Sequence, residues 1–237
     1  MPTVIKRRLT MDGLSKIDTA LEEIFTRHLS AISSYITPEK ASILWQDIAM
    51  RYNEPQRAYH SLQHIQQLFG QFDQVKNNLH EPHIIALALL YHDVIYEPTR
   101  SDNELKSAEY AVESLTGYLN AEQCQHIYAL IMMTASHQID KWSNETKERE
   151  EYSDAAYLLD MDLSILGSSW SEYEQYAHAV RQEYAHVLDG DYRVGRMAVL
   201  KELLAHPTLY LTDYYYERLE KQARKNIEHE ITLLHAS

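Results

Sequence analysis

Leu14, Ile17, Leu21, Ile24, Phe25, Leu29 and Ile32 recur every three or four residues through LSKIDTALEEIFTRHLSAI. That spacing lines one face of an α-helix and cannot line one face of a strand. Helical spacing returns along most of the chain, and only six glycines and six prolines interrupt 237 residues. The architecture expected is therefore all-α. Thr37 and Pro38 have the character of an N-cap and first helical position, opening a helix through Trp45 to about Arg51. Further helices are expected near 60–78, 82–92, 102–119, 121–136, 154–165, 171–188, 191–205 and 213–235, with the polar stretch 141–153 as an exposed loop containing a solvated helical turn. Neither a repeat nor a composition break divides the chain. Residues 1–237 read as one helical bundle of about eight or nine helices, its chemical core at about 55–170 and the helices of 171–237 packing on it.

A hydrophobic content of 45 % is enough to bury a full core in a single large domain. Thirty-five acidic against twenty-two basic residues leave a net charge of −13, a poor footprint for gripping a long phosphate backbone. Large nucleic acids are thus not expected partners, whereas a small anion remains compatible if a metal ion reverses the local field. The lone Cys124 allows neither an intrachain disulfide nor a cysteine-based zinc cluster. No stretch approaches the length of a membrane span, so the chain is expected to be soluble and cytoplasmic. DYYYERLEKQARKNIEHEI reads as an amphipathic terminal helix that packs on the bundle or on a second subunit, which leaves a homodimer open.

Chemistry is suggested where titratable residues interrupt apolar helix. HIIALALLYHD is apolar nearly all round until it ends in His92-Asp93, and buried titratable groups need partners. An antiparallel hairpin of one helix about 14 residues long and a return helix of about 10, rising roughly 1.5 Å per residue, brings His92 back to the level of His64. Two imidazoles and a carboxylate then meet at one end of the bundle, where they could coordinate a divalent cation. LLDMDLSIL offers a fourth ligand as Asp160 or Asp162, which diverge on a helix by about 200°. One can face the metal while the other caps, pairs with a base or steadies a ligand histidine. In AYHSLQHIQQLF, His60 stands four residues before His64, so on one helix face the two imidazoles lie about 5.4 Å apart along the axis. One could then coordinate while the other exchanges protons near neutral pH.

The order His, His-Asp, Asp resembles the HD-domain superfamily of metal-dependent phosphohydrolases, in particular its predicted bacterial branch of about this size. RYNEPQRAYHSLQHI, YHDVIYEPTRSDNELKSA, LLDMDLSILG, RQEYAHV, YRVGRMAVLKELL and PTLYLTDYYYERLEKQARKNI carry the resemblance, from about Trp45 to Glu230. It implies an HD-type helical fold and a bound divalent metal, with His64, His92, Asp93 and Asp162 as ligands. The choice of Asp162 rests on MDLS, which is similar to the ADLS metal segment of cyclic-nucleotide phosphodiesterases. Those enzymes also carry a Tyr-His-Asn-x-x-His segment in which the first histidine donates a proton to the leaving oxygen. Tyr59 to His64 is similar, with Ser61 in place of the asparagine, so the orientation of His60 does not carry over.

The function expected is hydrolysis of a small phosphomonoester or phosphodiester, with nucleotides the first class to try, by a water that the cation activates. Manganese, iron, cobalt, nickel, zinc and magnesium all suit mixed nitrogen and oxygen ligands. His60 is the expected acid, while Asp93 and Glu104 are expected to help deprotonate the water; Glu104 is equally placed to stabilise a helix start near Ser101 or Asp102. Arg57 could hold a substrate phosphate or make a salt bridge, and His137 could line the pocket, add a ligand for a second metal or only cap a helix end. Arg181, Glu183, Tyr184, Arg193 and Arg196 share the branch's character without an assignable role. The eighteen tyrosines read as packing residues rather than a base-stacking surface. The competing class is a binding or regulatory module of the same fold in which the metal takes no part in turnover.

Overall fold

The computed structural model describes residues 11–139 and 146–236. Among these residues ten α-helices follow one another: α1 (Met11–Ile32), α2 (Pro38–Tyr52), α3 (Leu62–Val75), α4 (Pro82–Tyr91), α5 (Asn103–Leu115), α6 (Ala121–Met133), α7 (Thr146–Asp162), α8 (Trp170–Glu183), α9 (Asp189–Ala205) and α10 (Asp213–Ala236). Short 3-10 turns extend α3 at Lys76–Asn78 and α7 at Leu163–Gly167. No strand occurs among the described residues. The fold is all-α as the periodicity requires, with one or two helices more than expected.

α4 forms the centre. From Ile84 to Tyr91 every side chain is buried, and the helix packs against α1, α3, α6 and α7. A segment with no polar face has no stable place at a surface, so the other helices close around it. Fully burying one of its leucines is worth about 2 kcal/mol. Asp154 of α7 fixes where the helix begins, since its carboxylate accepts from the amides of His80 and Glu81 at 2.9 and 2.7 Å. Tyr52 of α2 reaches its other end, donating to the Leu90 carbonyl at 3.1 Å.

α5, α6 and α8 end three to five residues earlier than expected, at Leu115, Met133 and Glu183, and the starts of α7 and α3 also differ. Residues 146–153 form the first two turns of α7 and not a loop; 141–145 lie outside the described residues. Arg149, Glu150 and Tyr152 are exposed, so this start of the helix has no apolar face for periodicity to detect. α3 begins at Leu62, two residues later than expected, because Arg57 holds residues 57–61 in a turn. α10 packs along the Leu163–Gly167 turn. At Gly167 an added Cβ would stand 2.5 Å from Leu219 Cβ, so only glycine lets α10 approach this closely. Asn226 secures the contact, donating to the carbonyls of Leu166 and Ser168 at 2.8 and 2.9 Å.

Candidate metal centre

The end of α4 and the start of α3 are tied by one buried guanidinium. Arg57 donates to the carbonyls of His60 at 3.1 Å, Asp93 at 2.7 Å and Val94 at 2.9 Å, and its Nε meets Glu54 at 3.2 Å. Nε on the Glu54 carboxylate and both terminal nitrogens on backbone carbonyls commit Arg57 to contacts within the protein, where a grip on substrate phosphate was expected. Its role is to lock the turn carrying His60 against the segment carrying His92 and Asp93.

His64 on α3 and His92 just past α4 are each 2 % exposed, and the Nε2 atoms of both are buried without a hydrogen-bond partner. His92 Nδ1 lies 2.8 Å from the Leu89 carbonyl, and a proton placed there makes Nε2 a bare lone pair. Carboxylate oxygens surround these two nitrogens. Asp93 Oδ2 is 3.0 Å from His92 Nε2 and 3.8 Å from His64 Nε2, and Asp162 Oδ1 is 3.5 Å from both. Ligating atoms of His64, His92 and Asp93 lie within 4.8 Å of one another. Neighbouring ligands about 2.1 Å from one divalent ion stand roughly 3.0 to 3.4 Å apart, close to these separations. Two orphaned imidazole nitrogens facing two carboxylates are the donor set that a divalent cation satisfies.

Electrostatics agree with that reading. Burial works against charging His92, but Asp93 and Asp162 outweigh it and raise its pKa well above the ordinary value. In His64 burial prevails and the pKa falls, with the nearby His92 adding to the effect. Both carboxylates are held below the usual range despite burial: Asp93 by His92 and His60, Asp162 by its hydrogen bond with His137 and by the nearby imidazoles of His64 and His92. The cluster thus calls for positive charge at its centre.

The α7 aspartates point apart, as their spacing requires. Asp160 accepts from the amides of Leu211 and Thr212, both at 2.8 Å, and from the Thr212 hydroxyl at 2.7 Å, so it anchors the entry to α10. Asp162 faces the histidines, and its Oδ2 meets His137 Nε2 at 3.0 Å. His137 sits past the end of α6 at φ 51°, a left-handed conformation that costs a side-chain-bearing residue about 1 kcal/mol or more. It steadies Asp162 and also lines a cavity beside it.

His60 does not share a helix face with His64, since it precedes α3 and Ser61 takes the N-cap position. Another element aims it. The buried Glu183 at the end of α8 accepts from the amides of Ala58, Tyr59 and His60 at 2.7, 2.8 and 3.0 Å through Oε1, and holds His60 Nδ1 at 2.8 Å through Oε2. Tyr96 stacks on the imidazole at 4.0 Å between centroids and donates to the same carboxylate at 3.1 Å. Burial disfavours the imidazolium, but Asp93 and Glu183 outweigh it and raise the pKa of His60. A histidine fixed through Nδ1 and protonated near neutrality, with its Nε2 edge left free, is suited to donating a proton.

No protein-family model, curated protein or solved structure matches this chain. The functional reading accordingly rests on the residues themselves. Glu104 occupies the first turn of α5, just after the N-cap Asp102, whose carboxylate pairs with Arg100, and it is not among the residues lining the two cavities beside the cluster. Arg181 closes the end of α8 through the carbonyls of Tyr184 and Val187 and pairs with Asp189. Glu183 and Tyr96 are the functional residues whose roles sequence reasoning missed. They lie 123 and 36 positions from His60, with no spacing signal to link them.

Proposed function

We propose that this chain is a metal-dependent hydrolase of small phosphoesters, on an HD-type site made by His64, His92, Asp93 and Asp162. The observation that carries the reading is the pair of buried, unpartnered imidazole nitrogens opposite two carboxylates, with the Glu183-held His60 beside them. A bound divalent cation supplies charge neutralisation for the phosphoryl oxygens and lowers the pKa of water. Hydrolysis forms a P–O bond to water as the ester P–O bond breaks. The departing oxygen leaves with the bonding pair and takes the proton that His60 holds, and Asp93 accepts the proton released by the attacking water. His137 keeps Asp162 in place, and Arg57 keeps the His60 turn from drifting off the end of α4.

Access favours turnover over a purely structural ion. Asp93 and Asp162 are each 16 % exposed, and cavities open on two sides of the cluster. A structural ion is normally closed off by protein ligands. No helix among the described residues is long and apolar enough to cross a membrane, which suits a freely diffusing substrate. Metal analysis followed by a screen of phosphomonoesters and phosphodiesters with several divalent ions tests the proposal. Metal bound at the cluster with no ester hydrolysed would favour the regulatory module instead.

A further inference from the structure

Two cavities of about 520 Å³ flank the cluster and share Tyr59, Asp162, Ile165 and Tyr176. Their walls differ in chemistry. One carries the amides of Gln63, Gln67, Gln71 and Gln175. The other, which His60 lines, is walled by Tyr59, Tyr96, Tyr176, Tyr184 and Tyr192, with Val180 and Val199 between them. Tyrosine rings offer flat apolar faces at low ordering cost, and an aromatic ring placed among them finds edge and face contacts on several sides.

Charge limits what can enter. Among the described residues no lysine lines either cavity, and Arg196 is the single arginine. Its Nε and Nη2 hold the two oxygens of Glu230 at 2.8 and 3.0 Å, both side chains being under a tenth exposed, and its remaining contacts go to the Tyr176 hydroxyl. The guanidinium is therefore neutralised before any ligand arrives. Asp191 in the tyrosine cavity and Glu172 in the other add negative charge. A di- or triphosphate would bring several charges against described walls whose one arginine is already paired, in a chain of net charge −13.

His60 supplies the orientation. If it protonates the departing oxygen, the alcohol must lie on its side of the cluster, which is the tyrosine side. Resting on the phosphohydrolase reading, we propose that the substrate is a phosphoester with one phosphoryl group whose alcohol bears an aromatic ring, the ring lying between Tyr96, Tyr176, Tyr184 and Tyr192. The phosphoryl group then meets His64, His92, Asp93 and Asp162, and no second phosphate is accommodated.

Two measurements on the full chain test this. The first is hydrolysis of 1-naphthyl phosphate, glycerol 1-phosphate and adenosine triphosphate at equal free Mn²⁺. The second, without metal, is binding of 1-naphthol followed by tyrosine fluorescence. Naphthyl phosphate should exceed both other substrates in kcat/KM by about ten-fold or more, the scale of a filled apolar pocket. Tyr184→Ala should shrink its advantage over glycerol 1-phosphate by about ten-fold, chiefly through KM, and weaken naphthol binding similarly. Val199→Trp, at a half-exposed position on α9, should block naphthol by filling the space. A preference for adenosine triphosphate or glycerol 1-phosphate, or naphthol binding that neither variant alters, overturns the proposal. Naphthol binding that responds to both variants without hydrolysis of any ester supports the cavity assignment and overturns the hydrolase reading.

Discussion

Glu183 Oε2 lies 2.8 Å from His60 Nδ1 while Oε1 of the same carboxylate gathers three consecutive amides of the turn on which His60 sits. One side chain thus sets both the place and the protonation of the imidazole. Burial alone would raise the pKa of Glu183, yet its bonds with His60 and with the turn amides bring it below the usual range, so it acts as an anion that steadies an imidazolium.

Replacing Glu183 by Gln removes the charge and keeps most of the shape. Activity should drop by about ten- to a hundred-fold, and the alkaline limb of the kcat profile, where His60 loses its proton, should move to lower pH. His60→Ala should lose turnover more completely. Both proteins should retain metal by elemental analysis, and a loss of metal from either would remove His60 and Glu183 from the role of proton donor and support.

Asp93→Ala and Asp162→Ala should lose metal and activity together, because each removes a carboxylate from the cluster. Asp160→Ala should keep metal and lose stability instead. It leaves the amides of Leu211 and Thr212 without an acceptor, a cost of about 1–3 kcal/mol that lowers Tm by several degrees. Calorimetry beside metal analysis separates the two outcomes, and the reverse pattern would exchange the roles of the two aspartates.

Arg57→Lys keeps the charge but cannot span three carbonyls and Glu54. About 2–4 kcal/mol of stability should be lost, since a buried ammonium finds too few acceptors in place. Denaturant unfolding measures this directly. A variant as stable as the wild type would show that the turn does not need the fork.

Mild acid should weaken the fold through His28, far from the cluster in sequence. Its Nδ1 meets His83 Nδ1 at 3.0 Å, and burial, assisted by His83 and Arg27, lowers its pKa from 6.5 to about 4. Between those values the unfolded chain binds the extra proton and the folded one does not. Stability is therefore complete above 6.5 and declines as pH falls toward about 4, by at most about 2 kcal/mol after allowing for solvent screening. The difference in Tm between pH 7 and pH 4.5 should be smaller in His28→Leu than in the wild type; an unchanged difference would assign the acid sensitivity elsewhere.

Local chemistry was legible from the chain where it repeats at helical spacing. The apolar run 84–90 announced a buried helix, Thr37-Pro38 announced the start of α2, and the 160/162 spacing announced two divergent carboxylates. Hairpin length alone brought His64 near His92. What escaped was set by long-range contact. Arg57 is indistinguishable in sequence from a surface arginine until its three carbonyls are seen, and nothing near residue 183 says that its carboxylate ends under residue 60. The tyrosines were read as packing, which holds for Tyr52, Tyr91, Tyr173, Tyr210 and Tyr215, all buried. Tyr59, Tyr96, Tyr176, Tyr184 and Tyr192 in addition wall the cavity beside His60, with Tyr96 and Tyr192 themselves buried.

The Arg57 fork has a kinetic consequence. Because the strap between the two histidine-bearing segments consists of protein atoms alone, the coordinating groups are gathered before any cation enters, and capture requires little loss of chain freedom. The slow step in loading should then be shedding of water by the incoming ion, so uptake rates should follow each ion's own water-exchange rate and not a refolding time common to all of them.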